Sequence, residues 1–308
     1  MSRTGAGAVA LVAALSLLLA SPAWAQDPIA VITTTSDLRS LAEAVGGERI
    51  AATSLVPGNV DPEDYQPKPQ DLLRVAQARL LVRVGLDYDL WLDGLLARVM
   101  RPQISRGGPA YVDASSGIAV LELTGMSIGP GDGHAHGSGN PHYWLDPRNA
   151  EIITASILEG LSRIDPANAV RYEENRASFL ARLQTKLRDW DRRLTFLRAI
   201  PIIAYHNSWP YFARRFRLNI AGFIEIKPGV PPGASHLADL VRTMRARDVR
   251  IVLREPHYPQ RDIAFVAEKA GARIITLAAS VGALPQARDY IALFDTNIEV
   301  LESTAPIQ

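Results

Sequence analysis

From Asp165 to Pro201 the chain carries Val170, Tyr172, Phe179, Leu180, Leu183, Leu187, Trp190, Leu194 and Leu197 at helical spacing. A helix of about 30 residues is about 45 Å long, longer than a typical domain helix and suited to a stiff connector. On both sides of it, β-branched runs alternate with amphipathic ones. Before it come strands at Ala30–Thr35, Ile50–Val56 and Leu80–Val84, with helices through Val45, over Pro69–Ala78, over Leu90–Met100 and from Asp146-Pro147 to about Ile164. Ser36-Asp37 reads as the cap of the first helix. After it come strands at Ile202–Ala204, Asn219–Ile224, Arg250–Leu253 and Arg273–Leu277, with helices at Pro210–Arg217, Ser235–Arg247, Arg261–Ala270 and Gln286–Glu302. Strands alternating with helices imply parallel sheets. The predicted fold is therefore α/β: two lobes with parallel β-sheets flanked by helices, spanning 26–164 and 201–308, joined by one long rigid helix over 165–200.

The chain has 308 residues, 33 basic and 32 acidic, and no cysteine. That length gives one large domain or two medium ones, each able to bury a core. A net charge of +1 argues against a nucleic-acid partner, which would need a concentrated basic surface. Arg214-Arg215 and the stretch Arg242–Arg250 lie on amphipathic patterns and read as solvated helix faces. Without cysteine there is no thiolate metal site and no thiol nucleophile. At the start, Arg3, an apolar run over Ala8–Ala20 and Ser21-Pro22-Ala23-Trp24-Ala25 form the three regions of a signal peptide (1–25). Cleavage is expected after Ala25, giving an exported, periplasmic protein; an uncleaved anchor is the alternative.

In parallel sheets, ligand groups gather at loops that follow the carboxyl ends of strands. Three segments at such places carry metal-binding side chains: Asp61–Pro67 with Glu63, Asn140–Pro147 with His142, and Tyr205–Trp209 with His206. Imidazole and carboxylate are donors that a borderline cation such as zinc accepts. Glu255, His257 and Glu225 end strands in the second half and are further candidates. His236 opens a helix and reads as an exposed residue near its cap. Leu123–Gly139 holds six glycines with His134 and His136 between them, a linker with two weak capture sites or a plain one.

The chain resembles the zinc- and manganese-delivering substrate-binding proteins of ABC transporters, the ZnuA/TroA-like (cluster A-I) family. The resemblance covers essentially all of the mature chain. It rests on Asp61-Pro62-Glu63-Asp64-Tyr65-Gln66-Pro67, Pro141-His142-Tyr143-Trp144-Leu145-Asp146-Pro147, Tyr205-His206 with Trp209-Pro210-Tyr211-Phe212-Ala213, and Val252-Leu253-Arg254-Glu255-Pro256-His257. It implies a metal chaperone with no catalysis, holding its ion between the lobes and passing it to a membrane permease. It also implies His142 and His206 as ligands. Glu63 stands where the family has histidine, so it is carried over as the first ligand with altered selectivity. The acid many members carry after the last strand is missing from Leu277-Ala278-Ala279-Ser280-Val281-Gly282. The fourth position then falls to Glu255, His257, Glu225 or water. Zinc (Zn2+) is the expected cargo and manganese (Mn2+) the alternative. Two other readings stay open, a degenerate paralogue that binds metal weakly and a zinc hydrolase. Against the hydrolase, the sequence has neither a His-Glu-x-x-His helix nor a Gly-x-Ser-x-Gly elbow.

Overall fold

β1 (Ile29–Thr33) is a run of β-branched and apolar residues that suits a sheet buried on both faces. It is the centre of the first sheet in a computed structural model that describes residues 27–122, 138–226 and 230–304. The expected signal peptide, His134 and His136 lie outside the described residues. From β1 the chain passes through α1 (Ser36–Gly46) to β2 (Ile50–Ser54), α2 (Pro69–Gln77), β3 (Leu80–Arg83), α3 (Trp91–Val99) and β4 (Tyr111–Asp113). α4 (Ala150–Ile164) and the long α5 (Ala169–Arg193) follow. The second half runs β5 (Pro201–Ala204), α6 (Pro210–Phe216), β6 (Asn219–Phe223), α7 (Ala234–Ala246), β7 (Ile251–Arg254), α8 (Gln260–Ala270), β8 (Arg273–Thr276) and α9 (Tyr290–Glu302).

Both sheets are parallel and four-stranded, ordered β2-β1-β3-β4 and β6-β5-β7-β8. The same winding thus occurs twice. In each sheet the chain leaves its first strand for one neighbour and then crosses to the other side. That reversal opens a crevice beyond the carboxyl ends, where ligands of such sheets bind. Thr34, His206 and Glu255 all lie within two residues of these strand ends.

Several boundaries differ from the sequence reading. The long helix is 25 residues, about 38 Å. Pro166–Asn168 before it and Thr195–Ala199 after it are 3₁₀ turns. Its buried stripe is Tyr172, Phe179, Leu183, Leu187 and Trp190, while Val170 faces solvent. β4 was not expected; three residues after Gly107-Gly108-Pro109 carry too little periodicity to register. The last helix starts at Tyr290, capped by Asp289. Thr35, rather than Ser36-Asp37, caps α1, its hydroxyl accepting from the Leu38 amide at 3.4 Å.

Ser36 and Asp37 instead reach the other half of the chain. The Ser36 hydroxyl donates to the Val281 carbonyl at 2.7 Å, and the Val281 amide donates to Asp37 Oδ1 at 2.9 Å. Gly58 presses on the same peptide, since a Cβ there would sit 1.9 Å from the Val281 oxygen. Trp144 Nε1 donates to the Ala279 carbonyl at 2.9 Å, and the Tyr290 amide to Ser40 Oγ at 3.0 Å. The acid-free stretch Leu277–Gly282 is thus clamped between the lobes. α9 braces α5 from the side: Trp190 Nε1 and Lys186 Nζ donate to Asp295 at 2.8 and 2.7 Å, and Arg193 grips Glu302 at 2.8 and 2.6 Å. Such half-exposed ion pairs contribute about 1 kcal/mol or less each. The packing of Trp190 and Tyr290 on Phe294 and one apolar core running through both halves hold the frame more strongly.

Candidate metal centre

The loop after β2 is shaped by its own polar groups. Asp61 Oδ1 accepts from the Glu63 amide at 2.9 Å, an Asx turn. Farther on, Tyr65 packs edge-on against Trp91 (centroids 5.0 Å) and donates to Asp71 at 2.6 Å, while Trp91 Nε1 donates to the Pro62 carbonyl at 3.2 Å. The backbone is pinned at both ends of the turn, and the Glu63 side chain is buried.

His142 lies between Pro141 and a 3₁₀ turn over Tyr143–Leu145. Asn140 Oδ1 accepts from the His142 amide at 3.0 Å and faces its Nδ1 at 3.2 Å. The imidazole is walled by Tyr88 and Trp144 (centroids 5.4 and 5.3 Å). Asn140 also ties the lobes together, donating through Nδ2 to the Asn207 carbonyl at 2.9 Å and accepting from Tyr211 OH at 3.0 Å through its own carbonyl.

His206 stands two residues beyond β5, and Glu225 two residues beyond β6. Those strands pair Ala204 with Phe223, so the two side chains come out side by side. Nδ1 of His206 meets Glu225 Oε2 at 2.5 Å. A carboxylate only accepts, so Nδ1 carries the proton and Nε2 points the other way.

Both Nε2 atoms face one oxygen. Glu63 Oε1 lies 3.4 Å from His142 Nε2 and 3.9 Å from His206 Nε2, and the three residues offer donor atoms all within 4.8 Å of one another. Donors around a tetrahedral zinc, with bonds of about 2.0–2.1 Å, are roughly 3.3 Å apart. The trio therefore spans an ion-sized gap. The outer nitrogen of each ring is engaged by Asn140 or Glu225, which sets tautomer and orientation as metal-binding histidines require.

The surroundings bias this gap toward positive charge. Burial works against a charged His206, but the hydrogen bond to Glu225 and the carboxylates of Glu63 and Glu255 outweigh it and push the imidazole up to about 9. Burial raises Glu255 to about 7, against its hydrogen bonds and the charge of His206. Burial, helped by the charge of His206, lowers His257 to about 4, so this ring is neutral.

Of the residues named from sequence, Glu63, His142 and His206 are brought together, whereas Glu255 stands outside the trio. Its Oε1 accepts from Ser208 Oγ at 2.6 Å and Trp209 Nε1 at 2.8 Å, which seats the His206 loop from behind. Glu225 sits behind His206, on the side away from Glu63, as its hydrogen-bond partner. His236, half-buried, meets the Phe223 carbonyl at 3.1 Å and is directed at the β6 backbone. The orienting roles of Asn140 and Glu225 were missed. For Glu225 the signal was available, an acid at the same offset beyond a neighbouring strand end as His206.

Known proteins share this sequence pattern and fold. The family model of the periplasmic component A of zinc-uptake complexes (ZnuA) matches residues 31–304. Among relatives, the high-affinity zinc uptake system protein ZnuA of Yersinia pestis is 25% identical over 276 residues, covering 86% of each chain. The manganese ABC transporter substrate-binding lipoprotein PsaA of Streptococcus pneumoniae is 26% identical over 247 residues, covering 79% of this chain and 76% of its own. The crystal structure of a 138-173 deletion mutant of ZnuA with zinc bound superposes with a TM-score of 0.76 at 27% identity, over 92% of this chain and 100% of that one. The chain belongs to the ZnuA family of substrate-binding proteins of metal ABC transporters, and it is not an enzyme.

Proposed function

We propose that this protein captures a single zinc ion between its lobes through Glu63 Oε1, His142 Nε2 and His206 Nε2, and hands it to the permease of an ABC transporter in the periplasm. The observation that carries this reading is the convergence of three buried donors from three loops on one gap. Each imidazole is held by a second partner behind it, and the lobes contribute unequally, with Glu63 and His142 from one and His206 from the other. An ion in this gap bonds both lobes at once, so its loss loosens the closed form that a permease would read. Two neutral imidazoles favour zinc. The fourth position is left to water, since Glu255 stands outside the cluster of three donors.

Manganese is the second reading, and Glu63 favours it. A carboxylate serves a hard cation well, and the family's histidine at this position is softer. Titration calorimetry of metal-free protein with zinc and then manganese, followed by competition, tests both. One ion per chain with zinc displacing manganese supports zinc as cargo. Manganese displacing zinc would assign the site to manganese, and binding of neither would sink the reading.

A further inference from the structure

Outside the inner trio, a second pair of metal donors faces across the cleft. His257 Nε2, from the loop after β7, lies 3.6 Å from Asp61 Oδ2, from the loop after β2. This spacing is close to the 3.4 Å between His142 Nε2 and Glu63 Oε1, and both match the roughly 3.3 Å separation of two donors on one zinc. The side chains of this outer pair are 17% and 13% exposed, against 6% and 3% for His142 and Glu63. His257 nonetheless lines the same small cavity as His142, together with Asp61, Tyr88, Ser208 and Tyr258. The two pairs therefore lie along one route, the outer one wet and the inner one dry.

We propose that Asp61 and His257 form a mouth subsite for the divalent cation, a way station that the ion occupies between solvent and the inner centre. This inference rests on the function proposed above. The chemistry suits a passing ion. Two protein donors leave the remaining positions to water, so the ion is held weakly and sheds its hydration stepwise. Tyr258 OH donates to the same Asp61 oxygen at 3.3 Å, which a second lone pair on that oxygen permits beside a metal. Asp61 Oδ1 meanwhile accepts from the Glu63 amide at 2.9 Å, so the residue that greets the ion also sets the turn of the residue that receives it. The carboxylates of Asp64 and Glu63 act on His257 as well, and this run of negative charge draws cations toward the mouth. The pair joins opposite lobes, so an ion there also begins to draw them together.

The test uses the full mature chain and zinc alone. His257→Gln keeps side-chain bulk and removes the imidazole; Asp61→Asn keeps an oxygen for the Glu63 amide and removes the carboxylate. Stopped-flow transfer of zinc from and to a chromophoric chelator should show each variant slowed about tenfold in loading and release by the same factor. In a His142→Ala/His206→Ala background, calorimetry should show one weakly bound zinc that disappears when His257→Gln is added. If both single variants keep the parent's rates, or the double variant binds no zinc, the mouth subsite does not exist. If His257→Gln instead lowers equilibrium affinity about a hundredfold at unchanged loading rate, His257 belongs to the inner ion and the way station is refuted. A parent that binds no metal at all would instead fail the proposed function, so the two failures are distinguishable.

Discussion

Replacing Glu225 by glutamine should change how zinc affinity depends on pH more than it changes affinity at any single pH. In the metal-free protein the Glu225 carboxylate and its neighbours overcome burial and hold His206 up to about 9. That value lies above the ordinary 6.5, so the charged pair stabilises the empty fold fully below about 6.5, and this stabilisation is lost as pH rises through about 9. Zinc needs the opposite protonation state. At pH 7 the proton must be expelled about two units below the group's pKa, which costs a factor of about 100 in apparent affinity. Parent affinity should therefore climb about tenfold per pH unit from 7 to about 9 and then level off. Glutamine keeps an oxygen for Nδ1–H but removes the charge. His206 then falls toward its ordinary range and the plateau begins near neutral pH. The plateau itself should drop about 10- to 100-fold, the usual loss when a histidine ligand's outer partner is weakened. The curves should stand about 10- to 100-fold apart at pH 9.5 and cross between about pH 7 and 8. Competition against a chelator of known pH dependence measures both. Parallel curves would refute the argument, because they would mean that Glu225 does not control the proton on His206.

Other consequences concern single side chains. Glu63→Ala should weaken zinc binding about a hundredfold, whereas Glu63→His should keep zinc and lose manganese, because imidazole is the softer donor; parent-like zinc binding by Glu63→Ala in calorimetry would remove Glu63 from the site. Burial, offset in part by the Val281 amide and Ser280, holds Asp37 up to about 7. Its folded value lies above the unfolded one, so this group's contribution to stability is fully present below about 4 and is lost as pH rises through about 7. Asp37→Asn keeps an acceptor for the Val281 amide and should raise the melting temperature at pH 8 while changing it little at pH 4; a lower value at pH 8 would show that the charge is needed. Gly58→Ala forces a methyl against the Val281 carbonyl and should cost about 1–3 kcal/mol in denaturant unfolding, with no loss if the contact opens freely.

The fold was legible because alternation and a long amphipathic run are local signals. Strand ends and the order of motifs then placed Glu63, His142 and His206 where parallel sheets gather ligands. What the sequence hid was long-range. Ser36-Asp37 looks like a helix cap because both residue types cap helices, yet their partner is the Val281 peptide, 245 and 244 residues away. Glu255 looks like a ligand because it ends a strand beside His206, but Ser208 and Trp209, also on the His206 loop, claim one of its oxygens. Asn140 lay inside a recognised motif, but its work on the His142 ring and the Asn207 carbonyl shows only once the chain is folded. β4 and the 3₁₀ ends of the long helix were missed for another reason: each is only three to five residues long, too short for periodicity to develop.

The central claim is that one zinc ion is held by two imidazoles and the Glu63 carboxylate. X-ray absorption at the zinc edge of stoichiometrically loaded protein reads that set directly, since imidazole gives outer-shell scattering that carboxylate and water do not. The account predicts two imidazoles with oxygen donors and no sulfur, in a chain that has no cysteine. It predicts one imidazole when His206→Ala is loaded under the same conditions. A parent spectrum with no imidazole, or one that is unchanged by His206→Ala, would contradict it.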